Sequence, residues 1–298
     1  MMLGESMALA CALCWASAVW LFRRAGSVDA KALNIFKNVI ASALLLLLMA
    51  ATGRSFDWQR SLGDWLALTI SAALGLSVGD TLFFMGLRRV GTSVAAVTDC
   101  AYAPTVALLS AVFLAETMQG GLAIGAPLVV AGLVLVSWQR APQADSADHA
   151  TKAVDRLGVV YCVAGVMITA VAVVVAKPAL GRSDLIEATT VRLIAGTVLL
   201  LIWDGLAGRL HLAAALFKPQ PVWRYIVPAT IVGTFISMLL WMGGFKYTAE
   251  ATRAALLNQM GTVFALIFAA LSGDVIPRLR WAGAGLAFAG AVTVLLIR

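Results

Sequence analysis

The sequence predicts an all-α membrane protein, a single transmembrane domain of ten helices built as two inverted five-helix repeats. Three observations predict it. The 298-residue chain is 61% hydrophobic and only 12% charged, about half the charged fraction of an ordinary soluble protein. Apolar runs of about 20 residues recur from end to end, each long enough to cross about 30 Å of hydrocarbon as a helix. Finally, residues 87–117 (LRRVGTSVAAVTDCAYAPTVALLSAVFLAET) return as residues 245–275 (FKYTAEATRAALLNQMGTVFALIFAALSGDV). A basic residue opens each copy (Arg88, Lys246) and an acid closes it (Glu116, Asp274), both at an offset of 158.

Taken in order, the apolar runs place spans at 3–22, 32–52, 63–87, 91–114, 120–138, 157–176, 185–206, 222–245, 249–271 and 280–297. The first lacks a basic leader and carries Glu5, so it reads as a retained span rather than a cleaved signal. An Arg88-Arg89 turn joins spans 3 and 4. Spans 5 and 10 carry Gly121, Gly125 and Gly132, and Gly283 and Gly290, which leave smooth surfaces for close helix packing. Packing within the chain is the first use of those faces, and a homodimer through them is the alternative. The chain divides into repeat one (1–140), a polar linker (141–155) and repeat two (156–298). No segment outside the membrane is long enough to bury a core of its own.

The repeat extends well beyond its best-matched stretch. With the offset of 158, Trp65 matches Trp223, Gly75 matches Gly233, Gly86 matches Gly244, Gly125 matches Gly283 and Gly132 matches Gly290. Nearer the N-terminus the offset is 155, pairing Lys37 with Arg192 and Gly53-Arg54 with Gly208-Arg209, with a three-residue insertion near Lys218–Pro221. Five is odd, so the second copy enters the membrane upside down. Transporters built this way carry their substrate site at the repeat interface near mid-depth.

A small-residue helix ending in an acid, followed by a helix with repeated glycine, resembles the EamA family of the drug/metabolite transporter superfamily. The residues are AAVTDCAYAPTVALLSAVFLAE, then GGLAIGAPLVVAGLVLV, with counterparts around Asp274. The second copy departs from the pattern with Thr262 at the place of Pro104 and Asp274 where Glu is usual. The resemblance implies ten helices and export or exchange of small metabolites, often coupled to an ion or a counter-substrate. It also implies termini inside the cell. The loops disagree: with Lys37 and Arg192 placed inside spans, seven basic residues lie on the side of the termini and thirteen opposite, which by the positive-inside rule puts the termini outside.

Ionisable groups at hydrocarbon depth mark functional sites. Asp80 and Asp99 flank the 3–4 turn, each about 11–12 Å from the same membrane face at 1.5 Å of rise per residue. Two carboxylates at matched depth on adjacent helices raise each other's proton affinity. Lys37 sits about 8 Å from that face, within reach of either acid. Trp15 lies at similar depth, and Tyr102 follows Asp99 on one helix face. Asn258 and Gln259 come from the inverted copy near mid-membrane. These seven residues form the predicted substrate site. Arg192 sits at intermediate depth, and Arg253 near the opposite face has Glu250 three residues before it, the spacing of a local ion pair.

The prediction is therefore a secondary transporter, an exporter or exchanger of small and amino-acid-like metabolites, with proton coupling through the acids. A cationic-drug exporter and a membrane enzyme acting on lipid through Asp80 and Asp99 are the alternatives, with a non-transporting scaffold as a third class. No metal, cofactor or nucleic-acid motif is found: the four cysteines fall in apolar runs and the two histidines, His149 and His211, in loops. The net charge of +7 sits in short loops facing lipid headgroups. The expected location is a cell membrane, the inner one in a Gram-negative bacterium, and the expected partners are a small-molecule substrate and membrane lipid.

Overall fold

The computed structural model describes residues 3–25, 28–117, 120–138, 155–273 and 275–297. Asp274, His149 and nearly all of the predicted linker lie outside the described residues, as does the side chain of Arg88. The first repeat forms α1 (Leu3–Arg24), α2 (Ala30–Ala51), α3 (Leu62–Ala72), a π-helical turn pair at Ala73–Gly79, α4 (Asp80–Asp99), α5 (Tyr102–Phe113) and α6 (Gly121–Trp138). The second forms α7 (Arg156–Arg182), α8 (Leu185–Leu206), α9 (Leu210–Leu216), α10 (Trp223–Thr230), a π segment at Ile231–Ile236, α11 (Ser237–Tyr247), α12 (Ala251–Asn258), α13 (Gly261–Leu271) and α14 (Arg278–Leu296). Asp29, Asp155 and Asp184 start α2, α7 and α8 by accepting first-turn backbone N–H groups on their carboxylates. The Gly158 N–H, with Arg89 alongside, holds the Asp155 carboxyl below its ordinary range.

Among the described residues eight helical runs are long and apolar enough to cross a membrane, and two apolar helices, Tyr102–Phe113 and Gly121–Val136, are shorter. The short member at the fourth position follows from a break: spans 4 and 9, expected as unbroken rods, are each interrupted, at Cys100–Ala101 and at Gln259–Met260. Helix α9 lies in the 7–8 connection and has no counterpart in the span assignment. The π segments fall at equivalent places in the two repeats, Ala73 and Ile231 being 158 apart. Side chains such as Leu206, Leu271, Phe113 and Leu296 project outward and largely exposed, as a lipid-facing surface requires.

The turn expected at Arg88-Arg89 is helical in local geometry, yet the chain does reverse there. The Phe83 carbonyl and the Thr98 hydroxyl both reach the Cys162 thiol on α7. Fifteen residues of straight helix would hold them about 22 Å apart. Helix α4 therefore folds back between them.

The repeats contact each other symmetrically. Helix α6 packs on α14 and α2 on α8, each a helix against its own counterpart, and α5 of the fourth span packs on α12 of the ninth. Helix α4 and its π segment pack on α7, as α11 and its π segment pack on α1. Ser42 meets its equivalent Thr197, hydroxyl to hydroxyl at 3.3 Å. Exchanging the halves leaves this pattern unchanged, which is a two-fold relation.

Ion pairs sort by face. Arg54–Asp184, Arg60–Glu187, Arg182–Asp64, Lys177–Glu116, Arg253–Glu5 and Arg253–Glu250 join connections on the side of the termini. Arg89–Asp155 and Arg209–Asp29 lie on the other. The Arg253–Glu250 pair expected from spacing is present, but Arg253 also binds Glu5 and the Val294 carbonyl, so it ties α1, α12 and α14 together. Glu116, the acid closing the first long motif, accepts N–H bonds from Ala251 at 2.7 Å and Thr252 at 3.4 Å. It caps the start of α12 in the opposite repeat, where the helix dipole favours a negative charge.

The glycine faces of α6 and α14 are spent on each other. A Cβ at Gly132 would lie 2.4 Å from the Ala287 nitrogen, and one at Gly290 would lie 2.7 Å from the Val129 nitrogen. These glycines serve packing within the chain, the first of the two uses considered from the sequence. Gly132→Val is expected to lower the melting temperature by an overpacking cost of about 1–3 kcal/mol, whereas Gly285→Ala, whose Cβ would meet nothing within 4 Å, should leave it unchanged or raise it. Glu116→Ala should cost about 1–2 kcal/mol through loss of the α12 cap, with Glu116→Asp recovering part, both read by thermal unfolding in detergent.

Candidate functional site between the repeats

The broken helices meet at the centre. A break inside hydrocarbon leaves backbone groups without intrahelical partners, and these need a partner from elsewhere in the protein. The Gln259 side chain supplies one, donating from Nε2 to the Asp99 carbonyl at 2.6 Å. An amide at one repeat's break thus satisfies the break in the other. Because a carbonyl only accepts, this bond also fixes which end of the amide is Oε1, and that oxygen is buried without a partner.

Asp99 acts electrostatically on Tyr102 and on Cys162. Tyr102 is 7% exposed, its hydroxyl has no hydrogen-bond partner, and the Trp241 indole stands close by outside good bonding geometry. Its other charged neighbour is Arg192 of α8. The Arg192 guanidinium carbon lies 5.4 Å from the Trp241 ring centroid, and one of its terminal nitrogens lies 3.8 Å from where a Cβ on Gly75 would be. The glycine of the π segment thus leaves room for the guanidinium. Arg192 is 1% exposed, and all three of its side-chain nitrogens lack a hydrogen-bond partner.

A second cluster lies beside the first. Lys37 Nζ is 5.8 Å from the Trp15 ring centroid, and Lys37 and Asp80 interact through their charges. Trp15 is 44% exposed, and Lys37 and Asp80 are partly exposed, so the three border an opening rather than sealed core. Cys11, one turn before Trp15 on α1, bonds to Ser237 at 3.3 Å and neighbours Tyr102. It links the two clusters.

Six of the seven predicted residues therefore fall in two adjoining clusters rather than one: Trp15, Lys37 and Asp80 in the first, Asp99, Tyr102 and Gln259 in the second. Asp80 interacts with Lys37, and Asp99 with Tyr102 and Cys162. Asn258 ends α12 partly exposed and joins neither cluster. Of the two cavities described, the larger, about 490 Å³, is an apolar crevice bordered by Pro104, Leu108, Pro127 and Leu256, away from the charged residues.

Two residues of the centre stand outside the predicted set. Trp241 gave no signal beyond an apolar run. Arg192 did give one, as the repeat equivalent of Lys37, but depth along one helix does not reveal what surrounds a side chain.

The comparisons with known proteins agree with this architecture. A crystal structure of another protein superposes with a TM-score of 0.75 at 18% identity, covering 98% of this chain and 96% of that one; a likeness at that identity shows the fold alone. The chain matches no curated protein sequence. The EamA-like transporter family matches twice, over residues 2–138 and 156–296, the two halves that the internal repeat and the two-fold contacts delimit. The chain belongs to the EamA-like transporter family and is a multi-pass membrane protein of the drug/metabolite transporter type.

Proposed function

We propose that the protein is a secondary transporter that exports or exchanges small amino-acid-like metabolites, using ten crossings in two repeats of opposite orientation. One observation carries this reading: both repeats break their fourth span within one residue of the same place, and the breaks are joined across the interface by the Gln259 bond to the Asp99 carbonyl. Unwound helices at mid-depth are tolerated where they line a substrate path. The ion pairs support ten crossings, since that number puts both partners of each pair named above on a common side.

Charge of both signs near the centre favours a zwitterion over a bare cation, which would gain nothing from Lys37 or Arg192. Asp80, beside Lys37 at the opening, and Asp99, at the break of its span, are the acids placed to carry protons.

The test is flux into vesicles containing only the purified protein. Radiolabelled amino acids should exchange across the membrane, accelerated by an imposed pH gradient, and Asp99→Asn should transport with the gradient response lost. If both Asp80→Asn and Asp99→Asn keep an unchanged pH response, coupling at these acids is wrong. Turnover of vesicle lipid with no flux of any solute would point instead to the lipid-enzyme alternative.

A further inference from the structure

Arg192 is a charge that the folded chain leaves unanswered. A guanidinium carries five N–H donors and is never neutral in a protein. Burying such a group without hydrogen bonds costs several kcal/mol, and the great majority of buried polar atoms are satisfied. Here Nε and both terminal nitrogens are without partners at 1% exposure. Among the described residues no carboxylate pairs with it; its neighbours are the Trp241 face, the Tyr102 ring and the bare backbone of Gly75. The contrast with Arg253 is direct. That arginine is equally buried, and it is answered by Glu5, Glu250 and the Val294 carbonyl. One buried arginine holds the fold together, and the other is available.

Resting on the transport reading above, we propose that Arg192 is the anchor for a substrate carboxylate, which docks on its guanidinium by paired N–H···O bonds with the Trp241 ring beside it. The planar donor fork of Arg192 suits a carboxylate better than the ammonium of Lys37 would. The Tyr102 hydroxyl, also without a partner, is a further donor for the same anion. Along the contacts running from Arg192 through Tyr102 and Asp99 to Gln259, the unpartnered groups change from donors to an acceptor, the Gln259 Oε1. A carboxylate bearing an ammonium two bonds away fits that order. A plain monocarboxylate shares the Arg192 contact and lacks the second.

The test uses the full chain in detergent and in vesicles, with phenylalanine, its methyl ester, 3-phenylpropionate and phenethylamine as probes. Phenylalanine should raise the melting temperature of the wild type, and the ester and the amine, which lack a carboxylate, should not. A shift with 3-phenylpropionate as large as that with phenylalanine keeps the carboxylate anchor and identifies the substrate as a plain acid. Arg192→Met should weaken carboxylate binding about 10- to 100-fold, the worth of a charge-assisted hydrogen bond, and Arg192→Lys should lose less. Arg192→Met should also melt higher than wild type without ligand, because it removes an unanswered buried charge. A structural arginine would show the opposite sign. The proposal is overturned if Arg192→Met melts lower than wild type, if it binds phenylalanine unchanged, or if no carboxylate probe stabilises the wild type. Vesicle flux separates this from the wider reading: carboxylate-dependent stabilisation without any flux removes transport and keeps the anchor, and flux of the ester or amine unaffected by Arg192→Met removes the anchor and keeps transport.

Discussion

The structure depends on one constraint: in hydrocarbon, every backbone donor and acceptor needs a partner inside the protein. Unbroken helices meet it alone. This chain breaks two of its helices at the centre and must supply partners across the interface, so each half completes the other. Gln259 serves the Asp99 carbonyl, and Glu116 serves the first N–H groups of α12. Neither half would be satisfied alone. The constraint thus explains why the repeats lie face to face, and why polar side chains are found at the breaks.

Duplication makes two equal copies, and function requires them to differ. Lys37 and Arg192 stand at equivalent positions on helices that touch, but the first borders an opening beside Asp80 and Trp15 and the second is enclosed without a counter-charge. Gly75 and Gly233 are equivalent too. A Cβ on Gly75 would approach Ala172 and Arg192, and one on Gly233 would approach Ala18. The same small residue serves tight packing in one copy and, in the other, tight packing with room for a guanidinium as well. Symmetry sets the scaffold, and the departures from it sit where chemistry is possible.

Buried charge divides into two kinds here. Arg253 is bound on three sides and joins α1, α12 and α14, so removing a partner would strand a charge. Arg192 has an aromatic face and nothing to bond. The residue types are identical and both side chains are buried. Only the surroundings separate a structural arginine from one that awaits a ligand.

The sequence by itself determined the membrane class, the two repeats and the family, because hydropathy and self-similarity are properties of the chain read along its length. Counting residues along a helix also gave an expected depth for the acids, Tyr102 and Gln259. What it left undecided is azimuth: which way each side chain turns about its helix, and what it meets there. Asp80 turns to Lys37 and Asp99 to Tyr102 and Cys162, Glu116 reaches into the opposite repeat, and the glycine faces of α6 and α14 close on each other. Pro104 has no N–H to give the Cys100 carbonyl, and Gly261 directly follows the break at Gln259–Met260. These local signals do not say what answers the freed groups: the bond from Gln259 to the Asp99 carbonyl joins residues more than a hundred positions apart, a relation that only tertiary packing creates.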